Sequence, residues 1–351
     1  MLIRESVSLA PYTTIGLGGP ARFFGDCATE QDVRDAVEFA RRRALALHIL
    51  GGGSNVVFVD AGFPGLVARI ATRGVSFQTS GDDAVIVHAA AGESWDALVA
   101  ESVAQGLSGI ECLAGIPGAV GGAPIQNVGA YGQEIADTLV DVACLDRERL
   151  ERVTFAREDC AFAYRMSRFK AADRDRDRYV VLAVRLRLRR NTRPVLRYAE
   201  LAAAVTRRGG IDQVEPLAAV TLVREAVLEL RRGKSMVLDP ADPNTRSVGS
   251  FFTNPVLSAA AFAEVERRWH PPSFPAGRGV KVPAAWLVEQ AGYRKGYTHE
   301  GVGISTHHAL ALVNRGGTTA QLLALAEEIE RAVFEKFGVR LEREAVVVGG
   351  G

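Results

Sequence analysis

The chain of 351 residues is longer than a single hydrophobic core usually serves, so its length predicts two or three domains. Its composition, 48% hydrophobic and 24% charged, is that of a globular protein and excludes an intrinsically disordered chain. The formal net charge of +1 gives no general attraction to nucleic acid or to an anionic membrane, and no apolar run is long enough to cross a bilayer. The first residues lack the apolar core of a secretory signal, so we expect a cytoplasmic protein.

Neither the cysteines nor the histidines are spaced as metal ligands, and we expect no metal site. The cysteines fit a reducing compartment, where each is expected to be a small buried side chain: Cys27, Cys112, Cys144 and Cys160. Three histidines nearer the C-terminal end are expected to make structural hydrogen bonds: His299, His307 and His308.

Residues 1–73 are expected to form a small α/β domain. Thr29, with Asp32 three residues later, predicts the capped start of a helix. The sequence GGGSN at residues 51–55 lies between two apolar runs, a pattern typical of a strand, a tight turn that can bind an anion, and a second strand. The turn has no G-x-G-x-x-G spacing and no helix after it, which argues against a Rossmann unit.

Residues 74–213 are expected to form a second domain around a sheet. A strand at residues 83–91 is followed by a helix that Ser94 caps and Gly106 ends. Strands are also predicted near residues 141–145 and 179–188. In the second of these, apolar residues alternate with arginines, which is typical of a half-buried strand with a solvated face. The run DRDRDR at residues 173–178 is expected to be a solvated hairpin tip.

The segment of residues 113–134 holds six glycines, two prolines and no positive charge. An interior glycine costs roughly 0.5–1 kcal/mol relative to alanine, so this cluster predicts backbone that passes very close to a phosphate or a flat cofactor. The alternative is a long solvated surface loop, but Ile116, Val120, Ile125 and Val128 make the segment too apolar for such a loop.

Residues 214–351 are expected to form a third domain. Its predicted elements are a helix through Val223, Val227 and Leu230, a helix ending at Trp269, a helix at residues 283–291, a helix capped by Thr318 with Gln321 and ended by Gly338, and a final strand at residues 339–348 that carries Glu344.

Eight motifs follow one another along the chain: GGGSN, IPGAVGGAPIQNVGAYG, YRMSRFK, PVLRY, RRGK, GSFFTNP, AAWLVEQAG and LEREA. With these motifs in this order, the sequence resembles the UDP-N-acetylenolpyruvoylglucosamine reductase family, whose members make UDP-N-acetylmuramate for bacterial peptidoglycan. The resemblance covers nearly the whole chain. It implies an α+β fold with a two-domain FAD-binding fold of the vanillyl-alcohol-oxidase/PCMH type and a third α+β domain that binds the substrate.

The resemblance also implies roles for individual residues. The positions that would contact FAD are Gly51, Gly52, Gly53, Ser54, Asn55, Ile116, Pro117, Gly118, Gly121, Gly122, Asn127, Gly129, Ala130 and Tyr131. Three positions would be catalytic: Arg165, Ser250 and Glu344. Five would contact the substrate: Tyr198, Arg231, Lys234, Asn254 and Gln290. Taken alone, these residues have plainer interpretations, such as a surface arginine for Arg165, a turn cap for Ser250, a solvent-facing side chain for Glu344 and a solvated helix end for Lys234.

The implied reaction has two halves, in which NADPH reduces FAD and the reduced flavin then gives hydride to the vinyl carbon of the enolpyruvyl group. Arg165 and Glu344 would stabilise the resulting enolate, and Ser250 would supply the proton. No Cys or His lies in the two FAD segments, so we expect noncovalent FAD. The expected partners are UDP-N-acetylenolpyruvoylglucosamine and NADPH, without nucleic acid or membrane, and the expected state is a monomer.

Two departures from the family pattern affect the diphosphate contacts. The connection between Lys234 and Ser250 is longer than the common version, and Thr253 stands where many members carry lysine. Two alternatives stay open: a flavin oxidase or dehydrogenase of the same fold with another substrate, and a protein that binds sugar nucleotides through the glycine turns without flavin.

Overall fold

The computed structural model describes residues 1–171, 175–277 and 279–349, and the chain divides into two compact units. Unit 1 comprises Met1–Val7, Ala21–Gly53 and Pro64–Val237, and unit 2 comprises Ser8–Pro20, Ser54–Phe63 and Leu238–Gly351. Residues 173 and 174 of the predicted hairpin tip lie outside the described residues. The division into three domains at residues 73 and 213 stays a prediction.

The described residues contain seven α-helices, α1 to α7 in chain order: Glu30–Arg42, Trp95–Ala104, Ala199–Arg207, Pro216–Arg232, Ala259–Trp269, Ala284–Gln290 and Thr319–Phe337. They also contain nineteen strands, β1 to β19: Ile3–Ser8, Pro20–Cys27, Leu47–Leu50, Val56–Phe58, Phe63–Ile70, Val75–Ser80, Ala84–Ala90, Gly129–Ala130, Gln133–Glu134, Leu139–Asp146, Arg152–Ala156, Tyr179–Arg189, Val256–Leu257, Phe274–Ala276, Gly279–Lys281, Thr298–His299, Val302–Ile304, Leu312–Asn314 and Val346–Val348. No helix in these described ranges is both long and apolar enough to span a bilayer.

Unit 1 contains two larger sheets and the antiparallel pair β8-β9. The first has the strand order β1-β2-β5-β3, with β3 and β5 parallel. The second has the order β11-β10-β12-β7-β6, and all of its neighbouring strands are antiparallel. On β12, Val184, Leu186 and Leu188 are fully buried while the arginines between them are exposed, which confirms the predicted half-buried strand.

Local sequence signals begin and end the helices of unit 1. At the start of α1, the Thr29 hydroxyl accepts from the Asp32 N–H and the Asp32 carboxylate accepts from the Thr29 N–H, which is the predicted capping box. The Ser94 hydroxyl caps α2, and Gly106 follows that helix with a φ of +72°. Helix α4 begins at Pro216. The first N–H groups of a helix have no acceptor within the helix, so a proline at this position costs no hydrogen bond.

Unit 2 contains two small three-stranded sheets, ordered β13-β15-β14 and β16-β17-β18, and the parallel pair β19-β4. Helix α7 has the predicted capping box of Thr318 and Gln321 and ends at Gly338, whose φ is +68°. The Asp60 carboxylate also accepts the first N–H groups of α7, from Thr319 at 2.9 Å and from Ala320 at 2.8 Å. Acceptors at a helix N-terminus satisfy donors that the helix itself leaves unpaired, so Asp60 fixes where α7 begins.

The predicted final strand was too long. Regular strand structure is confined to β19, and Glu344 lies two residues before it. Before β19 and at its first residue, the chain instead makes single backbone bonds with two separate segments, from Glu344 to Phe251 and from Val346 to Asn55. The apolar pattern of residues 339–348 showed a buried chain but could not show that its partner changes along its length.

Candidate active site

Two glycine turns of unit 1 pack backbone against backbone. The first, after β3, carries Gly51, Gly52 and Gly53, and the second carries Gly118, whose φ is +126°. A Cβ on Gly52 would lie 2.6 Å from the Gly118 Cα, so no side chain fits at this contact. The two motifs predicted to bind FAD are therefore neighbours in the folded unit.

The first glycine turn offers backbone donors to a ligand. Within the described ranges, no protein acceptor bonds the N–H of Gly51, Gly52 or Gly53. Gly53 is buried and has a φ of +65°. Buried backbone donors normally have an acceptor, and successive unobstructed N–H groups form an anion site. The turn therefore fits a phosphate group such as the FAD diphosphate contains.

Gly121 and Gly122 have different surroundings although they are adjacent. A Cβ on Gly121 would lie 2.7 Å from the Ala91 Cβ, so packing within the unit requires a glycine there. A Cβ on Gly122 would meet nothing within 4 Å. Gly122 therefore lies beside open space, where a flat cofactor can approach the backbone.

Asn127 anchors the later part of the glycine segment. Its side chain is fully buried, and its φ is +46°. The Asn127 Nδ2 donates to the Glu134 carboxylate at 2.6 Å and to the Ala163 carbonyl at 3.1 Å, while its Oδ1 accepts from the Ala136 N–H at 3.3 Å. These groups use both Nδ2 donors of the amide, so the side chain of Asn127 is fixed by the protein itself.

Arg165 lies against this segment. Its Nη2 donates to the Gly129 carbonyl at 2.7 Å and its Nη1 to the Asn127 carbonyl at 3.4 Å. Arg165 is the second residue of a two-residue turn that Ala163 and Met166 close with bonds of 3.0 and 3.1 Å, and its φ is +54°. These two side-chain bonds hold the guanidinium against the backbone of the glycine segment.

Tyr198 packs on the glycine segment in the same unit. Its ring meets that of Tyr131 edge to face, with centroids 5.6 Å apart and an angle of 83°. A Cβ on Gly132 would lie 2.8 Å from the Arg197 Cβ, so the two backbones are in close contact. Burial raises the pKa of Tyr131 to about 12, so its hydroxyl is neutral at physiological pH. Tyr198 itself is 48% exposed and can cover a ligand at the edge of this segment.

Arg231, in the last turn of α4, brings a buried cation to the same region. It is 9% exposed, and its Nη2 donates to the Met236 carbonyl at 2.8 Å. Its Nε has no hydrogen-bond partner among the described residues. Burial lowers the pKa of Arg231. A buried donor without a partner is costly, so an acceptor from a ligand would be stabilising here.

Lys234 follows α4 and reaches both Tyr131 and Glu200. Its Nζ lies 5.8 Å from the centroid of the Tyr131 ring and 2.7 Å from the Glu200 carboxylate. The sequence analysis did not single out Glu200. The available signal was its place two residues after Tyr198 in the motif PVLRYAEL, in the first turn of α3.

In unit 2, Ser250 and Glu344 lie on two segments that bond to each other. The Glu344 N–H donates to the carbonyl of Phe251 at 2.8 Å, and the Thr253 N–H donates to the Glu342 carbonyl at 2.9 Å. Ser250 therefore lies immediately before Phe251, whose carbonyl accepts the hydrogen bond from the Glu344 N–H. Both side chains are half-buried. The structure thus places these two predicted catalytic residues on adjacent backbone segments within one unit.

Asn55 fixes the segment that carries Glu344. The Asn55 Nδ2 donates to the Glu344 carbonyl at 3.2 Å, and its own carbonyl accepts from the Val346 N–H at 3.0 Å. Asn55 was predicted as a FAD contact, and the structure gives it a positioning contact with a predicted catalytic residue. The sequence held no signal for this pairing, because 289 residues separate the two positions.

Asn254 and Gln290 lie at opposite ends of α6. The Asn254 Oδ1 accepts from the N–H of Ala284, the first residue of that helix, at 2.9 Å. Gln290 is the last residue of α6 and is exposed. A helix of 7 residues is roughly 10 Å long, so these two predicted substrate contacts are well separated.

The cysteines are all buried, as predicted. Burial raises the pKa of Cys27 and of Cys160 to about 12, which keeps both thiols protonated. Burial also raises the pKa of Cys112 and Cys144. In the described part of the chain, no group of three or more histidine, cysteine or acidic side chains is placed to hold a metal ion.

Comparisons with known proteins agree with this geometry. Residues 22–148 match a family model described as an FAD binding domain, and residues 240–348 match one described as the C-terminal domain of UDP-N-acetylenolpyruvoylglucosamine reductase. The chain is 50% identical to the UDP-N-acetylenolpyruvoylglucosamine reductase of Thermobifida fusca, with 98% of each chain covered. It is 49% identical to the reductase of the same name from Streptomyces coelicolor, with 97% of this chain and 89% of that protein covered.

A solved structure is similar over the full length. The crystal structure of UDP-N-acetylenolpyruvylglucosamine reductase from Thermus caldophilus is 26% identical to this chain, has a TM-score of 0.68, and covers 99% of this chain and 100% of its own. The predicted fold class, an α+β fold with an FAD-binding part and a separate C-terminal part, is confirmed. The chain therefore belongs to the UDP-N-acetylenolpyruvoylglucosamine reductase family and is an FAD-dependent oxidoreductase.

Proposed function

We propose that this chain reduces UDP-N-acetylenolpyruvoylglucosamine to UDP-N-acetylmuramate with NADPH, as a cytoplasmic step in the synthesis of bacterial peptidoglycan precursors. The structural observation that carries the proposal is the 2.8 Å bond from the Glu344 N–H to the Phe251 carbonyl, in a chain of this family. This bond keeps Ser250 and Glu344 on paired segments, as a proton donor and an acidic partner at one carbon atom would require.

The glycine turns are proposed to hold the cofactor. The N–H groups of Gly51, Gly52 and Gly53 would bind the FAD diphosphate, and the open space at Gly122 would admit a flat part of the cofactor. When bound, FAD would supply the hydride chemistry that links NADPH to the vinyl carbon of the substrate. A noncovalent attachment follows from the absence of Cys and His from GGGSN and from residues 116–131.

Arg165 is proposed to bind the carboxylate of the enolpyruvyl group. As that group gains electron density, its negative charge grows, and a planar forked donor can stabilise two oxygens at once. The Gly129 and Asn127 carbonyls orient the guanidinium before the substrate arrives. Preorganised charge of this kind acts on the transition state without first having to rearrange.

Ser250 is proposed to give a proton to the carbon next to the carboxylate, with Glu344 stabilising the enolate from its neighbouring segment. A serine hydroxyl is a weak acid, but an enolate is a strong base, so proton transfer between them is feasible. Tyr198, Arg231 and Lys234 are proposed to bind the nucleotide sugar, the two cations through its diphosphate. Asn254 and Gln290 would contact the substrate at two separate points.

A stopped-flow experiment on each half-reaction tests this function. Under anaerobic conditions, NADPH should bleach the flavin absorbance, and addition of UDP-N-acetylenolpyruvoylglucosamine should restore it with formation of UDP-N-acetylmuramate. A reduced flavin that only oxygen reoxidises would favour the alternative of an oxidase with another substrate. A purified protein that never acquires flavin absorbance, even with added FAD, would contradict both enzymatic proposals.

Two simpler measurements test the cofactor attachment and the assembly. Acid precipitation should leave all of the yellow colour in the supernatant, because no covalent bond holds the FAD, and colour in the pellet would contradict this. Light scattering should give the mass of one chain, as proposed, with neither nucleic acid nor lipid co-purifying.

A further inference from the structure

A pocket of about 450 Å³ lies in unit 1 at the end of β3 away from the glycine turn. Leu47, at the first position of β3, lines it, whereas GGGSN follows the last position of that strand. A strand of 4 residues spans roughly 13 Å, so the pocket and the glycine turn are at opposite ends of it. None of the residues that line the pocket belongs to the proposed FAD or substrate contacts.

Four arginines line this pocket: Arg41 of α1, Arg147 directly after β10, and Arg176 and Arg178 in the segment before β12. Two of them are held by carbonyl oxygens. The Arg41 Nη2 donates to the carbonyls of Arg147 and Glu148, the latter at 2.6 Å. The Arg147 Nη1 donates to the Asp177 carbonyl at 2.5 Å. A carbonyl fixes a guanidinium in place without neutralising it, and a guanidinium has five donors, so Arg41 and Arg147 keep both charge and hydrogen-bonding capacity.

The acidic residues around the pocket neutralise the other arginines in part. Arg178 pairs with the buried Asp146 at 2.8 Å. Glu148 and Asp177 also line the pocket, but their side chains are 69% and 81% exposed, so solvent screens their charges. Burial lowers the pKa of Arg147, and the charge of Asp177 raises it by a smaller amount. An anion placed between these arginines would therefore be stabilised.

An apolar wall completes the pocket. Val37, Ala40 and Ala44 of the α1 end face it together with Leu45 and Leu47. A pocket with several guanidinium groups on one side and aliphatic side chains on the other matches a ligand that has one anionic group and an apolar body.

We propose that this pocket is a second ligand site, which binds a small phosphomonoester through Arg41, Arg147 and Arg176 and packs its organic part against the wall formed by Val37, Leu45 and Leu47. Forked guanidinium donors match phosphate oxygens, and three of them around one group exceed what a single surface arginine provides. The site is independent of the proposed reaction, since it shares no residue with it.

Calorimetric titration of the FAD-loaded protein with phenyl phosphate and with inorganic phosphate tests this site. Phenyl phosphate should bind saturably, and at least about tenfold more tightly than inorganic phosphate, because its ring uses the apolar wall. The absence of saturable binding of phenyl phosphate at millimolar concentration would overturn the proposal. Equal affinities for the two probes would overturn the role of the wall.

Two substitutions locate the binding. Arg41→Gln should weaken the affinity for phenyl phosphate by about tenfold or more, since charge-assisted bonds to phosphate are lost. Arg176→Gln should weaken it by about threefold or more, and the ion pair that this change removes is a local one with the adjacent Asp177. A control variant, Arg187→Gln on the exposed face of β12, should bind as the parent does. If the control weakens binding as much as the pocket variants do, or if both pocket variants bind normally, the proposal is wrong.

Discussion

A comparison of two variants, Arg165→Gly and Arg165→Ala, distinguishes the energetic cost of the Arg165 backbone conformation from the function of its side chain. Arg165 has a φ of +54° in a two-residue turn, a conformation that glycine adopts readily and that residues with a Cβ adopt only at a cost. Both replacements remove the bonds to the Gly129 and Asn127 carbonyls. Only the glycine variant also removes the strain.

Two opposing effects determine the expected difference in the free energy of unfolding between the glycine and the alanine variant. A left-handed conformation costs a residue with a Cβ roughly 1–2 kcal/mol. Glycine avoids this cost, but it also gives the unfolded chain more conformational freedom, which lowers the free energy of unfolding by about 0.4–1 kcal/mol. The Arg165→Gly variant should therefore be more stable than Arg165→Ala by about 1 kcal/mol, which corresponds to a melting temperature higher by about 2–4 °C in a unit of this size.

Thermal unfolding of the flavin-free proteins measures this difference, and stopped-flow reoxidation by the enolpyruvyl substrate measures the function. Both variants should lose the oxidative half-reaction, because neither has a guanidinium. Ala44→Gly is a matched control, since Ala44 has a φ of +50° in the same unit and no proposed catalytic role, so it should gain stability and keep its turnover. An Arg165→Ala variant at least as stable as Arg165→Gly would refute the strain argument, and a glycine variant with parent turnover would refute the catalytic role.

Three further predictions concern the cofactor, the proton and the substrate. Gly122→Val should lower FAD affinity about 10–100-fold with little change in melting temperature. Gly121→Val should instead lower the melting temperature, because its Cβ meets Ala91. Normal flavin binding by Gly122→Val would contradict the placement of FAD. In Ser250→Ala, NADPH should reduce the flavin at nearly the parent rate, but reoxidation by the substrate should be slower by ~10²–10⁴-fold. Ser250→Cys should recover part of that rate. Reoxidation of Ser250→Ala at the parent rate would end the proton-donor assignment. Tyr198→Ala should raise the KM for the nucleotide sugar while flavin reduction stays unchanged, and equal losses in both would remove the capping role.

Local signals in the sequence were sufficient for elements whose boundaries are set by neighbouring residues. The capping boxes at Thr29 and Thr318 and the hydroxyl cap at Ser94 all appear as predicted, because each needs only a bond across three residues. The alternation in β12 identified its buried face for the same reason: side chains of a strand point to opposite sides in turn.

Long-range pairing was beyond reach of the same reasoning. The segment around Glu344 bonds first to Phe251 and then to Asn55, and no local pattern marks where one partner replaces the other. The glycine segment shows a related limit. Sequence composition gave one explanation for all of its glycines, whereas the structure separates Gly121, which fits against Ala91, from Gly122, which borders open space.

Lys234, a predicted substrate contact, forms an ion pair with Glu200, a residue that the sequence did not single out. The Glu200 carboxylate lies 2.7 Å from the Lys234 ammonium group, which in turn lies 5.8 Å from the centroid of the Tyr131 ring. Both side chains are more than a third exposed, at 37% and 41%, and exposed ion pairs contribute only about 0–1 kcal/mol. Under the proposed function, a diphosphate can therefore displace Glu200 with little loss of free energy, and Glu200 can take the lysine back when the product leaves. Under that proposal, Glu200 would position the lysine between turnovers without competing strongly with the substrate.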